Sequence, residues 1–478
     1  MPPASAIVND GNVVYDAHTN DVAPSGTELK SALLHRHLQH EPIRVIGASG
    51  NHLHLSNGRR IFDSTGGAAV ACLGHGNERV KKAIARQMEE VSYCHTLLFT
   101  TPAAEGLAQE LVSSTNGAMA KAFIVSSGSE AMEAAMKLAR QFYLEAIPPQ
   151  PRRTRFVARK ESYHGNTLGA LSMSGHVARR ALFEPILMDN VSHVSACNAY
   201  RGMSNGETIE EYVARLAREL DDEFTRLGPD TVCAFVAEPV VGAAFGCVPA
   251  VQGYFQAMQD VCRKHGALLV LDEVMSGMGR CGTLHAWEQE GIVPDIQTIG
   301  KGLGGGYAPV AGILINHRVV DVLGRGTGAF AHGQTYQGHP VSCAAALEVQ
   351  RIIREERLVD NVRKMGTLLE HGLKQRLADH PNVGDIRGKG LFWGIEFVRD
   401  KATKKPFDPR DAIAMGVHEK GIQSPYNISL YPGTGTVDGR MGDHVLLAPA
   451  YNITVTDVAL IVKLASQVVE DFFAEQKQ

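Results

Sequence analysis

One lysine of this chain is surrounded by glycines and follows an apolar segment that ends in two acids. Lys301 belongs to Thr-Ile-Gly-Lys-Gly-Leu-Gly-Gly-Gly at residues 298–306, and Ala-Leu-Leu-Val-Leu-Asp-Glu-Val stands at residues 267–274. Glycine lets backbone approach a bulky ring closely, and a buried acid can hold positive charge on a pyridine nitrogen so that the ring accepts electrons. The pair indicates a lysine that forms an imine with pyridoxal phosphate. A glycine-rich loop with a solvated lysine is the alternative.

Three further segments carry polar residues where a predicted strand ends, which is where open parallel sheets bind ligands. Ser127-Gly128-Ser129 precedes a helix and could present N–H groups and hydroxyls to an anion, unless it is a plain serine cap. Tyr163 lies in a glycine turn and could stack on a flat ring or simply pack in its loop. Glu238 ends an apolar strand, where an acid is usually functional or paired.

Asp272 and Glu273 close the strand at residues 268–271. A carboxylate so near an apolar strand needs a cationic partner, and a protonated pyridine would supply one. A metal ion is the usual rival, but no histidine pair stands at ligand spacing, so no metal is expected. The eight cysteines contain no Cys-x-x-Cys pair, which argues against a zinc site or a disulfide framework.

Composition excludes several classes of protein. The chain has 478 residues, is 44% hydrophobic and carries a formal net charge of −4, so we expect a globular protein of two domains without a nucleic-acid partner. No apolar run approaches the ~18 residues of a membrane span, so no membrane association is expected. Acids near the N-terminus argue against secretory and transit signals. A cytoplasmic location follows by elimination.

Short apolar strands alternate with helical patterns between about residues 104 and 345. Residues 232–237 and 268–271 are apolar throughout, as in buried parallel strands, and residues 129–143 and 209–227 have helical periodicity. This alternation predicts an α/β domain with a mostly parallel sheet. A shorter helix is predicted around residues 29–38.

The pattern changes after residue 345, where long helices enclose two strand-like runs and Thr454 with Asp457 caps a final helix. A hairpin that turns at Asn57-Gly58 is expected to join this smaller α+β domain. The predicted divisions are an N-terminal segment at residues 1–75, a large cofactor-binding domain at residues 76–345 and a small domain at residues 346–478.

The glycines around Lys301 also match the dinucleotide fingerprint Gly-x-Gly-x-x-Gly, and Asp321 stands about 20 residues further on. That fingerprint must open a helix. Residues 310–315 instead predict a strand, so a dinucleotide site is rejected.

Taken in order along the chain, these motifs resemble the class III pyridoxal-phosphate aminotransferases, the omega-aminotransferase family of fold type I. The resemblance extends from about residue 30 to 470 and is carried by segments throughout the chain: Asp63 to His75, Ser126 to Arg140, Tyr163-His164-Gly165, Glu238-Pro239, Asp272 to Arg280, Lys301-Gly302, Thr335 to Pro340, and Arg387-Gly-Lys-Gly-Leu. It implies a large α/β domain with a mostly parallel central sheet and a smaller α+β domain built from both chain ends.

The resemblance also implies a role for each candidate residue. Lys301 would form the imine and carry the proton, and Asp272 would hold the pyridine nitrogen. The phosphate would lie in a cup of three residues, Ser127, Gly128 and Ser129.

Further roles surround this centre. Tyr163 and Val274 would pack on opposite faces of the ring, with His164 and Glu238 among the cofactor-binding residues. Thr335 would reach the phosphate of the neighbouring subunit's cofactor, which implies a homodimer with shared active sites.

Two residues are candidates for substrate binding. Arg440 stands in Asp-Gly-Arg-Met-Gly-Asp-His at residues 438–444, which resembles the arginine segment with which family members bind carboxylates. The spacing is one residue shorter than a common form, and a solvated loop arginine is the alternative. Tyr93 is the second candidate, as a wall of the pocket.

The implied reaction is ping-pong transamination between a small-molecule amine or amino acid and a keto acid. Aminomutases, racemases and decarboxylating enzymes share the fold and motifs and remain alternatives, as does a non-catalytic homologue. The sequence identifies neither the donor nor the acceptor.

Overall fold

The computed structural model describes residues 6–9, 12–15, 31–36, 38 and 41–476. Its strands are β1 (Ala6–Asn9), β2 (Asn12–Tyr15), β3 (Val45–Ser49), β4 (His52–Leu55), β5 (Arg60–Phe62), β6 (Met119–Val125), β7 (Arg155–Arg159), β8 (Val191–Val194), β9 (Val232–Ala237), β10 (Val240–Val241), β11 (Val248–Pro249), β12 (Leu268–Asp272), β13 (Ile296–Ile299), β14 (Ala311–Asn316), β15 (Val383–Lys389), β16 (Phe392–Phe397), β17 (Tyr431–Thr434) and β18 (Asp443–Leu447).

Helices alternate with these strands along most of the chain. They are α1 (Gly66–Ala69), α2 (Glu78–Glu90), α3 (Pro102–Ser113), α4 (Gly128–Glu145), α5 (Leu168–Met173), α6 (Val177–Arg180), α7 (Ala199–Gly202), α8 (Ile209–Leu227), α9 (Tyr254–Lys264), α10 (His317–Arg325), α11 (Pro340–Glu355), α12 (Leu358–Leu377), α13 (Ile413–Ile422) and α14 (Val455–Glu475).

A seven-stranded sheet forms the centre of the molecule, in the order β6-β14-β13-β12-β9-β7-β8. Strand β14 runs antiparallel to both neighbours, whereas β12, β13, β9, β7 and β8 pair in parallel. Helix α4 packs on one face of the sheet and helices α8 and α9 pack on the other. Because both faces are covered, β9 and β12 are buried along their whole length, as their apolar sequences require. The predicted α/β fold with a mostly parallel sheet is confirmed.

A second, antiparallel sheet has the order β15-β16-β18-β17. The predicted hairpin forms β4 and β5, and Phe62 at its end exchanges backbone hydrogen bonds with Asn427 and Ser429. Phe62 and Leu73 share one apolar core with α12 and α14. The two chain ends therefore pack together, while the three residue boundaries proposed for the domains stay a prediction.

Local signals in the sequence locate several helices correctly. Helix α8 has the predicted bounds, and α14 begins at the predicted capping box, where the Thr454 hydroxyl accepts the Asp457 N–H. The helix predicted around residues 29–38 is wrong for residues 31–36 and 38, which form no helix; residues 29, 30 and 37 lie outside the described residues. Leu33 and Leu34 are 71% and 88% exposed, so no packing compensates for the cost of nucleating a short helix.

The small sheet is joined to the large domain through a buried carboxylate. Glu396 on β16 is fully buried and accepts hydrogen bonds from Arg387 and from Arg201 of α7. Arg387 also donates to the carbonyls of Phe245 and Gly246 between β10 and β11. This ion-pair network ties three segments together away from the apolar cores.

No described helix is long and apolar enough to cross a membrane. Within the same residues, no three His, Cys, Asp or Glu side chains cluster in a way that could hold a metal ion.

Replacing Glu396 should destabilise the fold strongly. Glu396→Gln removes the carboxylate partner of Arg201 and one of the two carboxylate partners of Arg387, which keeps Asp385. Breaking a buried pair costs up to about 3–5 kcal/mol. The control is Glu370→Gln, which removes an exposed pair to Lys374 and should cost less than about 1 kcal/mol. Unfolding in urea, followed by fluorescence, measures both; equal losses would show that the network contributes nothing special.

Candidate active site

Three parallel strands end side by side and bring together residues that lie far apart in the sequence. Glu238 follows β9, Asp272 closes β12, and Lys301 comes two residues after β13. The register pairs Leu271 with Ala237 and Asp272 with Thr298. The predicted acids and the lysine therefore lie at one edge of the sheet, where open α/β sheets bind ligands.

Asp272 is 5% exposed and its carboxylate has three donors. The backbone N–H of Val274 donates to Oδ1 over 3.1 Å and the Thr298 hydroxyl donates to the same oxygen over 2.8 Å. Nδ1 of His164 lies 2.7 Å from Oδ2, and the other ring nitrogen of His164 is buried without a partner. The three donors orient the carboxylate from three separate segments.

The adjacent acid points elsewhere. Glu273 is fully buried and accepts the N–H groups of Ala286 and Trp287 at 2.7 and 2.8 Å and the amide of Gln297 at 2.9 Å. Burial raises the pKa of Glu273 to about 8. Of the two acids that end this strand, Asp272 belongs to the site and Glu273 holds a neighbouring loop.

Lys301 has an unusual backbone and an unusual side chain. Its φ of 44° lies in the left-handed region, which costs a residue other than glycine about 1–3 kcal/mol and is concentrated at functional sites. Burial lowers the pKa of Lys301 to about 8, although the negative charges of Glu238 and Asp272 oppose this change. A larger fraction of unprotonated amine is thus present near neutral pH than on an ordinary lysine, which titrates near about 10.4.

Val274 packs between two glycines that precede functional segments. A Cβ added at Gly128 would lie 2.9 Å from a Val274 γ-methyl, and one at Gly300 would lie 3.2 Å from the same methyl. Only glycine allows these approaches without displacement. Val274 is thereby fixed against the start of α4 and the segment of Lys301.

The loop of Tyr163 and His164 is held to the same cluster. Glu238 accepts the Tyr163 N–H at 3.1 Å and the Gly242 N–H at 3.2 Å, and burial raises the pKa of Glu238. The guanidinium carbon of Arg179 lies 4.4 Å from the centre of the Tyr163 ring. Tyr163 is therefore held at its backbone by one site residue and covered on its ring by another charged group.

The predicted phosphate cup forms the N-terminus of α4. Ser127 is the cap, and its hydroxyl accepts the Glu130 N–H at 3.2 Å, as the plain-cap alternative supposed. The Ser129 hydroxyl contacts Asn166 twice at 3.0 Å. The first N–H groups of a helix have no partner within it, so Gly128 and Ser129 leave backbone donors at this end of the sheet.

Thr335 and Tyr93 lie together on the surface. The Tyr93 hydroxyl donates to the Thr335 carbonyl over 3.1 Å, and the Tyr93 and Tyr336 rings are 6.1 Å apart. Tyr93 and Thr335 are both exposed. They lie next to Leu97, Leu98 and Phe99, which are 63–80% exposed. This surface, made by residues 93–99 and 335–336, is called the exposed apolar patch below.

Arg440 is also exposed, on a loop whose backbone is well anchored. Asp438 accepts the N–H groups of Arg440 and Met441 at 2.9 and 2.7 Å. The Gly439 carbonyl accepts the Ala178 N–H at 3.1 Å. The loop is therefore fixed to α6, and only the side chain of Arg440 is free to turn.

Two residues of the site went unnoticed in the sequence. Thr298 bonds to Asp272 because β13 pairs with β12 in register, and the polar pair Gln297-Thr298 between two isoleucines was the available signal. Arg179 reaches Tyr163 from a four-residue helix, and no local pattern marks it.

The chain matches known proteins along most of its length. Residues 35–458 match the family described as aminotransferase class-III. A Gibberella zeae protein named aminotransferase is 58% identical over 433 residues, covering 90% of this chain and 84% of that protein. A Solanum lycopersicum protein named gamma aminobutyrate transaminase 3 is 34% identical over 430 residues, covering 88% and 80%.

Solved structures show the same fold. A crystal structure of an amine transaminase from an uncultivated Pseudomonas species, in its PLP-bound form, superposes with a TM-score of 0.84 at 30% identity and covers 95% of this chain and 98% of that chain. The sheet edge at which Lys301 and Asp272 lie therefore belongs to a fold that a known transaminase shares. This chain belongs to the class III aminotransferases and is a pyridoxal-phosphate-dependent transaminase.

Proposed function

We propose that Lys301 is the catalytic lysine and that Asp272, Val274, Tyr163 and the start of α4 position the cofactor around it. The observation that carries this proposal is the left-handed backbone of Lys301 at the sheet edge beside Asp272. A solvated loop lysine would need neither that strain nor the desolvation that lowers its pKa to about 8.

The residues present fit pyridoxal phosphate. Val274 presents methyl groups between two glycines, a flat apolar surface suited to one face of a ring. Asp272 presents an oriented carboxylate suited to a ring nitrogen that carries a proton. The free N–H groups at the start of α4 suit a phosphate, since helix N-termini attract anions.

When bound, the cofactor supplies an aldehyde carbon that Lys301 and the substrate amine occupy in turn, and a ring that takes up the electrons of the broken C–H bond. In the proposed mechanism, Lys301 Nζ would hold the cofactor between turnovers. Once free, the same Nζ would accept the proton from the substrate carbon next to the amino group and would later give that proton back, so that one group serves as both base and acid. Asp272 keeps its negative charge directed at the ring nitrogen throughout, and the Tyr163 loop limits the entry of water.

We also propose a homodimer in which Thr335 serves the partner's site. The exposed apolar patch supports this, because a contiguous apolar surface of this kind marks a contact surface. Thr335 and Tyr93 lie on it together rather than in contact with Asp272. Their predicted roles would follow if the patch of one subunit closes the site of the other.

The substrates are small amines and keto acids, and the particular pair is a further proposal. The relative named for gamma aminobutyrate supports a donor that carries a carboxylate. Arg440 stays a predicted carboxylate-binding residue, and its exposed side chain would have to turn inward.

A cytoplasmic location is proposed as well. All eight cysteines lie within the described residues, all are free thiols and seven are buried, which suits a reducing compartment.

Borohydride reduction of the holoenzyme should attach the cofactor permanently to Lys301. Digestion and mass spectrometry should locate the added mass on the peptide that contains residue 301. Lys301→Ala should show no such addition, and its turnover should fall by about 100- to 10,000-fold, the range for loss of a general acid–base group. An adduct on Lys264 or Lys389 would refute the assignment.

Gly128→Ala should weaken cofactor binding by pushing Val274 aside. Overpacking costs about 1–3 kcal/mol, or about 5- to 150-fold in the dissociation constant of pyridoxal phosphate, measured by titration of cofactor-free protein. Gly128→Ala combined with Val274→Ala should recover part of the loss, since the clashing methyls are gone. Gly324→Ala is the control, because a Cβ there has nothing within 4 Å. Strictly additive losses from the two substitutions would contradict the proposed packing of Val274 against Gly128.

Mixed dimers should show whether the Lys301 and the Thr335 of one active site come from different subunits. Subunits with Lys301→Ala and subunits with Thr335→Glu should each form poorly active homodimers, the second because the new carboxylate repels a phosphate. A purified mixed dimer should regain about half of wild-type activity, since one of its two sites then has both native residues. No recovery in the mixed dimer would place Thr335 and Lys301 in the same subunit's site.

A further inference from the structure

A second cation stands next to the proposed active site. Arg179 follows Ala178 on α6, and its guanidinium carbon lies 4.4 Å from the centre of the Tyr163 ring. Its positive charge is near enough to Lys301 to help lower the pKa of that ammonium. Arg179 is thus beside the reacting lysine, on the ring of a residue that Glu238 holds in position.

The guanidinium of Arg179 has no acceptor among the described residues. Its Nε is buried without a hydrogen-bond partner, and within the described part of the chain its terminal nitrogens have no hydrogen bond or ion pair either. Other arginines nearby also leave a nitrogen unpaired, but Arg159 donates to the Glu238 carbonyl and Arg280 to the carbonyls of Leu391 and Pro449. Leaving the buried Nε unsatisfied is costly, and the half-buried terminal nitrogens are available to an acceptor that arrives with a ligand.

Arg179 contributes to the pKa shifts of four groups, which are His176, His444, Tyr431 and Lys301. Burial lowers the pKa of His176 to about 4 and that of His444 well below its usual value, and it raises the pKa of Tyr431. These three are neutral near pH 7, so none of them neutralises the positive charge of Arg179.

Helix α6 holds Arg179 firmly. The guanidinium of Arg180 donates to the carbonyls of Ser172 and Ser174 at 2.6 and 2.8 Å. The Ala178 N–H donates to Gly439 at 3.1 Å. The neighbouring residues therefore fix the backbone on both sides of Arg179, which lies against the Tyr163 ring.

We propose that Arg179 binds the carboxylate of the amino-acid and keto-acid substrates while Lys301 reacts at their amino or carbonyl carbon. The proposal rests on the assignment of Lys301 made above. A guanidinium that lies flat on an aromatic ring keeps its N–H edge available, and that edge matches a carboxylate with two parallel hydrogen bonds. Arg179, rather than the exposed Arg440, is then the residue that selects acidic substrates.

Steady-state kinetics with paired substrates tests this directly. Donors are 4-aminobutanoate and butan-1-amine, and acceptors are pyruvate and propanal, so that each pair differs by a carboxylate. Arg179→Gln should raise KM for the two carboxylates by about 10- to 100-fold, the size expected for losing a charge-assisted pair. The KM values of the neutral partners should stay within about twofold. Arg179→Lys should give KM values for the carboxylates between those of Arg179→Gln and wild type, since lysine keeps the charge but cannot donate two parallel hydrogen bonds.

Binding without turnover supplies a second readout. Isothermal titration of the holoenzyme with butanoate should show weaker binding in Arg179→Gln by a similar factor, with the dissociation constant of pyridoxal phosphate unchanged. Arg440→Gln tests the rival arginine, and Arg218→Gln, an exposed position on α8, controls for net charge. Arg218→Gln should bind butanoate as wild type does, and Arg440→Gln should weaken butanoate binding less than Arg179→Gln does.

Four results would overturn the proposal. Equal losses for carboxylate and neutral substrates would make Arg179 only a support for Tyr163. Weaker retention of pyridoxal phosphate would assign it to the cofactor, and a carboxylate-selective loss confined to Arg440→Gln would assign the task to Arg440. Unchanged butanoate binding in Arg179→Gln would exclude it altogether. Failure of the Lys301 assignment is separate, because it appears in the borohydride experiment and leaves the calorimetric comparison intact.

Discussion

The site depends on the carboxylate of Asp272, which is held at the end of a buried strand by donors from three parts of the chain. Val274 belongs to the same strand-end turn, Thr298 to the adjacent strand, and His164 to the loop after β7. A carboxylate taken out of water needs such donors. Satisfying it draws the loop of Tyr163, the segment before Lys301 and the edge of the sheet into one arrangement.

Several unfavourable features lie at this edge of the molecule. Lys301 has a left-handed backbone and a desolvated ammonium, and nitrogens of His164 and Arg179 are buried without partners. Each is costly to the folded state. Their stabilisation comes from elsewhere, from the apolar cores on both faces of the central sheet and from the buried network of Glu396. The unsatisfied nitrogens of His164 and Arg179 lie where a cofactor and an anionic substrate could supply partners.

Periodicity and end signals in the sequence predict most of the elements, because they report local physics. Helix α8 is amphipathic and carries its own capping box, and β9 and β12 are apolar throughout because parallel strands are covered on both faces. The helix predicted around residues 29–38 does not form where the structure describes this segment, because a local pattern alone is not sufficient. An apolar stripe of that length forms a helix only where tertiary contacts cover it, and Leu33 and Leu34 remain exposed.

By itself, the sequence determined the chemistry: a lysine among glycines, an acid ending an apolar strand and a serine-glycine turn before a helix are recognisable because each lies within a few consecutive residues. Tertiary structure decided which of these groups meet. Asp272 points to the site while Glu273 points away from it, since successive side chains along an extended chain point to opposite faces. Arg179 reaches Tyr163 only through the packing of α6. Contacts between distant segments depend on register and packing, which no local pattern encodes.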